Sequence, residues 1–140
     1  QFDYIVGASL MVSRDFIEQV RLMCEDYFLY YEELDWAERG KGKFALGYAP
    51  DSIVFHKVGQ SIGTPRSQTP QARFRSEYYY VRNRLFVTKK FFPYALPTVL
   101  LSILATLVLR SLKGEWTRVT TLAQVLGKLL KEKEWLRMKS

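Results

Sequence analysis

The chain has 140 residues, of which 48% are hydrophobic and 25% are charged, and its formal net charge is +7. This composition suits one small domain or part of a larger one, and it excludes collagen-like, low-complexity and wholly disordered chains. Because the chain has one cysteine, Cys24, and one histidine, His56, it also excludes an internal disulfide and a zinc site built from several Cys and His residues.

The charge is divided unevenly along the chain. Residues 1–63 carry six Lys and Arg against ten Asp and Glu, a difference of −4, whereas residues 64–140 carry fifteen against four, a difference of +11. A basic tail of this kind attracts polyanions, either nucleic acid or the anionic cytoplasmic face of a membrane. The uncharged run over residues 91–109 favours the membrane.

The apolar run is interrupted near its start. Pro93 and Pro97 leave only residues 98–109 as uninterrupted helix, which is shorter than the roughly 20 residues that a bilayer span needs. The sequence therefore leaves three alternatives open for this run: a membrane span, a membrane-inserted or interfacial hairpin, and a buried helix of a larger soluble protein.

The first part of the chain predicts strands and helices in alternation. Residues 4–13 are apolar and interrupted by Gly7, a pattern typical of one strand or of two short ones. Ser13 then suits the N-cap of an amphipathic helix over residues 14–23, because apolar side chains recur there at helical spacing.

A second helix and two short strands are expected next. An aromatic run leads into a helix over residues 32–39, with Gly40 as its C-cap. Residues 44–50 and 52–56 predict short strands joined by a turn. Residues 57–71 are polar and rich in Gly, Ser, Thr and Pro, so they predict a loop.

The remainder of the chain predicts helices. Residues 73–92 are basic and aromatic, and residues 121–139 have the pattern of an amphipathic helix. The apolar face of the latter helix is expected to consist of Leu122, Val125, Leu126, Leu129 and Leu130.

Three carboxylates gather at the start of the second helix, at Glu32, Glu33 and Asp35. The helix dipole stabilises negative charge at this position, so the three could be ordinary caps. Helical spacing pairs Asp35 with Arg39 and places Glu32 beside Asp35 and Trp36, which leaves Glu33 without an obvious local partner. An unpaired carboxylate can act as a general base toward an attacking alcohol.

Two further side chains have chemistry of their own. A neutral imidazole such as that of His56, at the end of a predicted strand, suits a metal ion, although spacing alone favours a structural role. Cys24 is most simply a small buried apolar residue.

Several blocks of the sequence, in this order, resemble a known family. They are GASLMVSRDFIEQV at residues 7–20, YFLYYEELDWAERGKG at residues 27–42, YAPDSIVFHKVGQSIG at residues 48–63 and YYYVRNRL at residues 78–85. Together they resemble the C-terminal half of the catalytic domain of family 2 glycosyltransferases, especially rhamnosyltransferase-like enzymes of cell-surface polysaccharide synthesis. The first three blocks extend the resemblance over roughly residues 3–63.

The resemblance implies an α/β fold, namely a partial GT-A (Rossmann-like) nucleotide-diphospho-sugar transferase domain followed by C-terminal helices. It implies that Glu33 is the general base that deprotonates the acceptor hydroxyl, and that His56 helps to hold a divalent metal, Mg or Mn, on the donor diphosphate. The supporting residues would be Glu32, Asp35 and Arg39. The residues on the acceptor and donor-sugar side would be Gly7, Ala8, Ser9 and Trp36.

On this interpretation the chain has four segments. They are the acceptor-side part of a catalytic domain at residues 1–63, a basic aromatic juxtamembrane segment at 64–90, an apolar membrane-associating segment at 91–112 and a basic amphipathic helix at 113–140. The family grips its metal with a D-x-D motif, which this sequence lacks. We therefore expect the donor-binding half to lie upstream of Gln1, and we expect this fragment alone to be inactive.

The expected function is that of a glycosyltransferase (EC 2.4 class) at the cytoplasmic face of the membrane. It would move a sugar from a nucleotide-sugar donor to a lipid-linked or polysaccharide acceptor. One alternative is a noncatalytic membrane anchor or scaffold, in which the acids are only caps. A less favoured one is a nucleic-acid-binding module on residues 73–84. The adjacent apolar run is a poor surface for such a module, so no nucleic-acid partner is expected.

Overall fold

The computed structural model describes residues 7–56 and 69–133. These residues form five α-helices joined by loops and short 3-10 turns. The helices are α1 (Arg14–Val20), α2 (Glu32–Gly40), α3 (Pro70–Phe91), α4 (Leu96–Leu112) and α5 (Trp116–Glu132), and the turns are Gly7–Ser9, Glu25–Tyr27 and Pro93–Ala95.

The predicted α/β fold is wrong. The described ranges, 7–56 and 69–133, contain neither a strand nor a sheet, so the GT-A sandwich expected from the resemblance is absent from them. A strand is stable only beside another strand that pairs its backbone groups, and no such partner is present in this part of the chain. The side chains of Ile53, Val54 and Phe55 are accordingly 75%, 54% and 91% exposed. The short apolar pattern there predicted a buried strand that does not form.

Other predictions for the same region meet different outcomes. Gly7–Ser9 is a 3-10 turn rather than part of a strand. The first residues of that predicted strand, 4–6, lie outside the described residues. So does the predicted loop as far as residue 68, while Pro70 and Gln71 at its end already belong to α3.

Side chains cap the starts of α1 and α3. The start of α1 was predicted, whereas α3 begins three residues before the predicted helix. The hydroxyl of Ser13 accepts a hydrogen bond from the amide of Phe16 at 3.1 Å, so α1 begins as expected. At α3, Thr69 caps the amide of Ala72 at 3.2 Å, and Pro70 occupies the first turn, where its missing N–H costs nothing.

The end of α2 differs in detail from the prediction. Gly40 is the last helical residue and Lys41 is the C-cap. A Cβ atom at Gly40 would lie 2.5 Å from Cε2 of Phe16, so glycine is needed there for close packing against α1.

Helices α3, α4 and α5 pack around one hydrophobic core. Its buried residues are Tyr78, Val81, Leu85, Ile103, Leu122, Val125 and Leu129. The predicted apolar face of α5 is thus confirmed at three of its five positions, and Leu126 packs partly buried against the same core. Leu130 is the exception, because it is 71% exposed.

A second, smaller core joins α2 to α3. Tyr27, Phe86 and Val87 are buried together, and Leu34 of α2 packs against them. The acidic start of α2 is therefore fixed to the basic helix that precedes the apolar run.

The apolar run forms α4 after a 3-10 turn. Pro97 is tolerated because it lies in the first turn of the helix. By length and composition, the 20 residues of Pro93–Leu112 could cross a membrane. The most apolar 18-residue stretch among them has a mean hydropathy of 1.9, and 6% of that stretch is buried.

Candidate functional site

The turn before α2 has an unusual backbone. The backbone φ angles of Phe28, Tyr30 and Tyr31 are 59°, 67° and 72°, and residues other than glycine rarely adopt such values. Such residues persist only where their surroundings hold them, and they often lie beside functional sites. Tyr31 is also the N-cap of α2, so this turn sets the position of Glu32 and Glu33.

Two side chains of α3 hold this turn in place. The Nδ2 atom of Asn83 lies 2.7, 2.6 and 3.1 Å from the main-chain oxygens of Tyr27, Leu29 and Tyr30. Its two N–H groups donate to these three oxygens, so one N–H group is shared. The guanidinium of Arg82 donates to the main-chain oxygen of Asp26 at 2.9 Å. The Arg-Asn pair of the YYYVRNRL segment thus binds the backbone that leads into the acidic helix.

Asp35 is the most enclosed of the three acids. Its side chain is fully buried and accepts hydrogen bonds from Nε of Arg39 at 2.7 Å, Nζ of Lys90 at 2.9 Å and the hydroxyl of Tyr27 at 3.2 Å. The pair with Arg39 confirms the prediction from helical spacing, whereas the sequence analysis missed Lys90. Burial raises the pKa of Tyr27, and the adjacent Asp35 carboxylate adds to that rise.

Arg39 has a structural task besides its pairing with Asp35. Its two terminal nitrogens donate to the main-chain oxygens of Val20 and Leu22, which fixes the end of α1 against α2. Asp35 and Arg39 therefore form one ion-paired unit that joins α1 to α2. Both carboxylate oxygens of Asp35 already accept hydrogen bonds within the chain.

Glu33 has a different environment. One of its carboxylate oxygens, Oε1, accepts a hydrogen bond from the amide of Gly7 at 3.0 Å. Its other oxygen, Oε2, makes no hydrogen bond within residues 7–56 and 69–133. A Cβ atom at Gly7 would collide with the Glu33 carboxylate, so the close approach depends on glycine. The structure thus brings together two residues that the sequence analysis assigned to one site.

Glu32 lies beside an open cleft. Burial raises the pKa of its carboxyl above the ordinary value and the neighbouring Glu33 carboxylate adds to the rise, while a hydrogen bond with its own backbone opposes it. Its Oε2 atom is buried without a hydrogen-bond partner. The cleft has a volume of about 470 Å³ and is lined by Met23, Cys24, Glu25, Phe28 and Glu32.

The other predicted sugar-side residues differ in their surroundings. Ala8 and Ser9 are exposed in the same turn as Gly7. Trp36 is only 8% exposed, its indole N–H donates to the main-chain oxygen of Arg21 at 2.7 Å, and its ring packs edge-on against Phe16. Trp36 therefore has a packing role, and its contact with a sugar stays a prediction.

His56 and the metal were predicted from the resemblance. The His56 side chain is exposed, at the end of the first described range. Within residues 7–56 and 69–133, no three His, Cys, Asp or Glu side chains come together as a metal site. These residues do not fit a metal ion by themselves, so we derive no chemical step through one.

The residues that sequence reasoning missed are Lys90, Asn83, Arg82 and Tyr27. The YYYVRNRL segment was recognised, but nothing in its pattern indicated that it binds residues more than 50 positions earlier. Nothing in the sequence pattern linked Lys90, at the end of α3, to Asp35, which it reaches.

The chain is similar in sequence to a curated enzyme, which is recorded from two strains of one species. The chain is 30% identical over 82 residues to N-acetylglucosaminyl-diphospho-decaprenol L-rhamnosyltransferase of Mycobacterium tuberculosis, from strains CDC 1551 / Oshkosh and ATCC 25618 / H37Rv. The matched stretch is 58% of this chain but only 27% of the relative's length. No family model matches the chain, and no solved structure matches it. The chain is a distant homologue of a glycosyltransferase of the rhamnosyltransferase type.

Proposed function

We propose that this chain is the acceptor-side part of a membrane-associated glycosyltransferase. It moves a sugar from a nucleotide-sugar donor to a lipid-linked or polysaccharide acceptor at the cytoplasmic face of the membrane, with Glu33 as the general base. The distant relative supports sugar transfer in general. The relative is named for the transfer of L-rhamnose to N-acetylglucosaminyl-diphospho-decaprenol, a lipid-linked acceptor. This name favours a lipid-linked acceptor for the present chain as well.

The environment of Glu33 is the observation that carries this proposal. The Asp35 carboxylate already binds the side chains of Arg39, Lys90 and Tyr27. One oxygen of Glu33 accepts a hydrogen bond from the Gly7 amide, and the other makes no hydrogen bond in the described part of the chain. A general base needs both properties, since it must be oriented and must still have a lone pair for the incoming proton.

The reaction assigned to this site is a displacement at the anomeric carbon. Glu33 removes the proton of the acceptor hydroxyl while the hydroxyl oxygen forms the new glycosidic bond. The bond between the sugar and the nucleoside diphosphate breaks, and its electron pair leaves with the diphosphate. Glu32 adjoins this carboxylate, and burial together with the Glu33 charge raises the pKa of the Glu32 carboxyl.

The nucleic-acid alternative loses support from the structure. It needs exposed aromatic and arginine side chains over residues 73–84. Arg75 and Tyr80 are exposed, but Tyr78 and Arg82 are only 6% and 9% exposed, and Arg82 donates a hydrogen bond to the turn before α2.

The proposal is tested with the full-length protein, a panel of nucleoside-diphosphate sugars and polyprenyl-diphospho-N-acetylglucosamine as acceptor. Glu33→Gln should lower kcat by about 100-fold or more, since this is the usual contribution of a general base. The matched control is Glu18→Gln on α1, where the glutamate is 59% exposed and pairs only with Arg14. An unchanged kcat in Glu33→Gln would instead favour the noncatalytic anchor or scaffold.

A further inference from the structure

Helix α4 has two apolar faces, and the described residues, 7–56 and 69–133, cover only one of them. One face carries Ile103, which is buried against α3 and α5. The opposite face carries Leu101, Leu104, Val108 and Leu112, which are 64%, 56%, 57% and 79% exposed. These four residues recur at intervals of three or four positions, so they form one continuous stripe, here called the outer face of α4.

The outer face has the flanking residues of a lipid contact. Tyr94 precedes α4 and Trp116 follows it, and they are 81% and 64% exposed. Tyr and Trp favour the boundary between water and hydrocarbon, because each combines an apolar ring with a polar group. A surface helix of a soluble domain would present polar residues on the side away from the core.

The charge around α4 suits an anionic partner. Lys113 lies at its C-terminal end, and α5 adds Arg118, Lys128 and Lys131. Residues 64–140 as a whole carry fifteen Lys and Arg against four Asp and Glu. A basic surface beside an exposed apolar stripe is typical of a segment that binds anionic lipid headgroups and buries its stripe among the acyl chains.

The packing of α4 indicates how it lies in the membrane. Its inner face rests on α3 and α5, and Nη1 of Arg110 lies 2.9 Å from Oε1 of Glu77 in α3. A membrane-crossing α4 would carry the charged side chains of these two helices, Lys128 among them, into the hydrocarbon, where charge is strongly disfavoured. With α4 parallel to the surface, the outer face enters the lipid while α3 and α5 stay on the aqueous side.

We propose that α4 lies in the plane of an anionic membrane and inserts its outer face into one leaflet, without crossing the bilayer. This rests on the proposed membrane location of the transferase but not on the chemistry of transfer. It assigns the bilayer surface as the partner of Leu101, Leu104, Val108 and Leu112.

The orientation is tested by measuring the depth of single labels. Leu101→Cys, Leu104→Cys and Val108→Cys are each made in a full-length protein whose other cysteines, Cys24 among them, are replaced by serine. Each variant carries a fluorophore and is bound to phosphatidylcholine vesicles that contain phosphatidylglycerol. Lipids with a quencher near the headgroup or deep in the chain report the depth. In-plane insertion gives the three labels the same depth. A crossing helix separates positions 101 and 108 by about 10 Å, from seven residues at about 1.5 Å each.

A second measurement tests the contact itself. Leu104→Asp should weaken flotation with the anionic vesicles by at least about tenfold, because a charge replaces an exposed apolar side chain on the outer face. Gln19→Asp, which adds the same charge on the exposed side of α1, should float like the unchanged protein. Circular dichroism checks that both variants remain helical.

The outcomes separate this inference from the transferase proposal. A depth that changes steadily from position 101 to position 108, labels that no lipid quenches, or equal flotation of Leu104→Asp and Gln19→Asp would each overturn the in-plane arrangement. Neither measurement needs a substrate. A protein that inserts as described but transfers no sugar would contradict the transferase alone.

Discussion

Lys90, in the last turn of α3, places its Nζ atom 2.9 Å from Oδ2 of the buried Asp35 in α2. The two residues are 55 positions apart, and their side chains are 15% and 0% exposed. A buried carboxylate is stable only when its charge is paired. The helix that leads into the apolar run therefore supplies a counter-ion for an acid two positions from Glu33, so the acidic turn and the helix that precedes the apolar run form one unit.

Removal of the Lys90 charge should destabilise this unit. Lys90→Met leaves Asp35 buried with Arg39 as its remaining cation. We expect the free energy of unfolding to fall by about 2 kcal/mol, which is less than the loss for a buried charge left wholly unpaired, because Arg39 stays in place. Urea unfolding followed by circular dichroism measures the change.

The control for this prediction is Lys131→Met on the exposed side of α5, which should alter stability by less than about 0.5 kcal/mol. A thermodynamic cycle makes the test specific for the pair. In an Asp35→Asn background, Lys90→Met should cost clearly less than in the unchanged protein, since the charge that it balances is gone. Equal costs in the two backgrounds would show that the ion pair contributes nothing.

The backbone of the turn before α2 depends on Asn83. Asn83→Ala removes the amide that donates to three main-chain oxygens, and these oxygens are left partly unsatisfied. We expect a loss of about 3 kcal/mol in the free energy of unfolding, from buried acceptors without donors. Gln71→Ala, at an exposed position in the first turn of α3, is the matched control. A similar, small effect of both variants would contradict the role of Asn83.

Local patterns in the sequence predicted the local features correctly. The cap at Ser13 and the pair between Asp35 and Arg39 involve residues three or four positions apart, so helical geometry alone determines them. The contacts of Lys90 and Asn83 with the first part of the chain depend on how α2 and α3 pack. No spacing rule reports on such packing, and both contacts were missed.

The strand predictions were wrong because strand pairing, like helix packing, depends on residues far apart in the sequence. The apolar run at Ile53, Val54 and Phe55 has the composition of a buried strand, but composition does not provide a partner strand. A sheet needs at least two segments whose backbones pair, and no two segments pair in this way among the described residues. The same limit applies to Glu33, whose freedom from local partners was predicted but whose contact with Gly7, 26 residues away, was not.

The raised pKa of Glu32 predicts a pH-dependent stability. In the folded state this carboxyl holds its proton more tightly than in the unfolded chain, where its ordinary pKa is 4.5. Ionising this carboxyl therefore costs more free energy in the folded state than in the unfolded chain. Below pH 4.5 the carboxyl is protonated in both states and the cost is absent. As the pH rises from 4.5 through the higher folded pKa, the cost appears and the free energy of unfolding falls. Glu32→Gln should remove this fall and should be more stable than the unchanged protein at neutral pH.

Urea unfolding at a series of pH values between 4 and 8 measures this effect, as the difference between each variant and the unchanged protein. Glu18→Gln, at an exposed glutamate of α1, should leave the pH profile unchanged. If Glu32→Gln retains the same slope as the unchanged protein, the carboxyl of Glu32 does not titrate with a raised pKa.

The contact between Gly7 and Glu33 predicts a selective loss of activity. Gly7→Ala places a methyl group where the Glu33 carboxylate lies, so that carboxylate must move. A displacement of about 1 Å at a reacting group lowers kcat by about 100-fold, and because Gly7 is exposed the stability should hardly change. Sugar transfer by the full-length protein, together with urea unfolding, measures both effects.

The control makes the same substitution at Gly47, where nothing lies within 4 Å of the added Cβ atom, so Gly47→Ala should keep full activity. The double variant that combines Gly7→Ala with Glu33→Gln tests the mechanism of this loss more specifically. If Gly7→Ala acts by displacing the base, it should add no further loss once the base is gone, because residues that act as one unit are not additive. Additive losses would mean that Gly7 acts on the substrate by a route that does not involve Glu33.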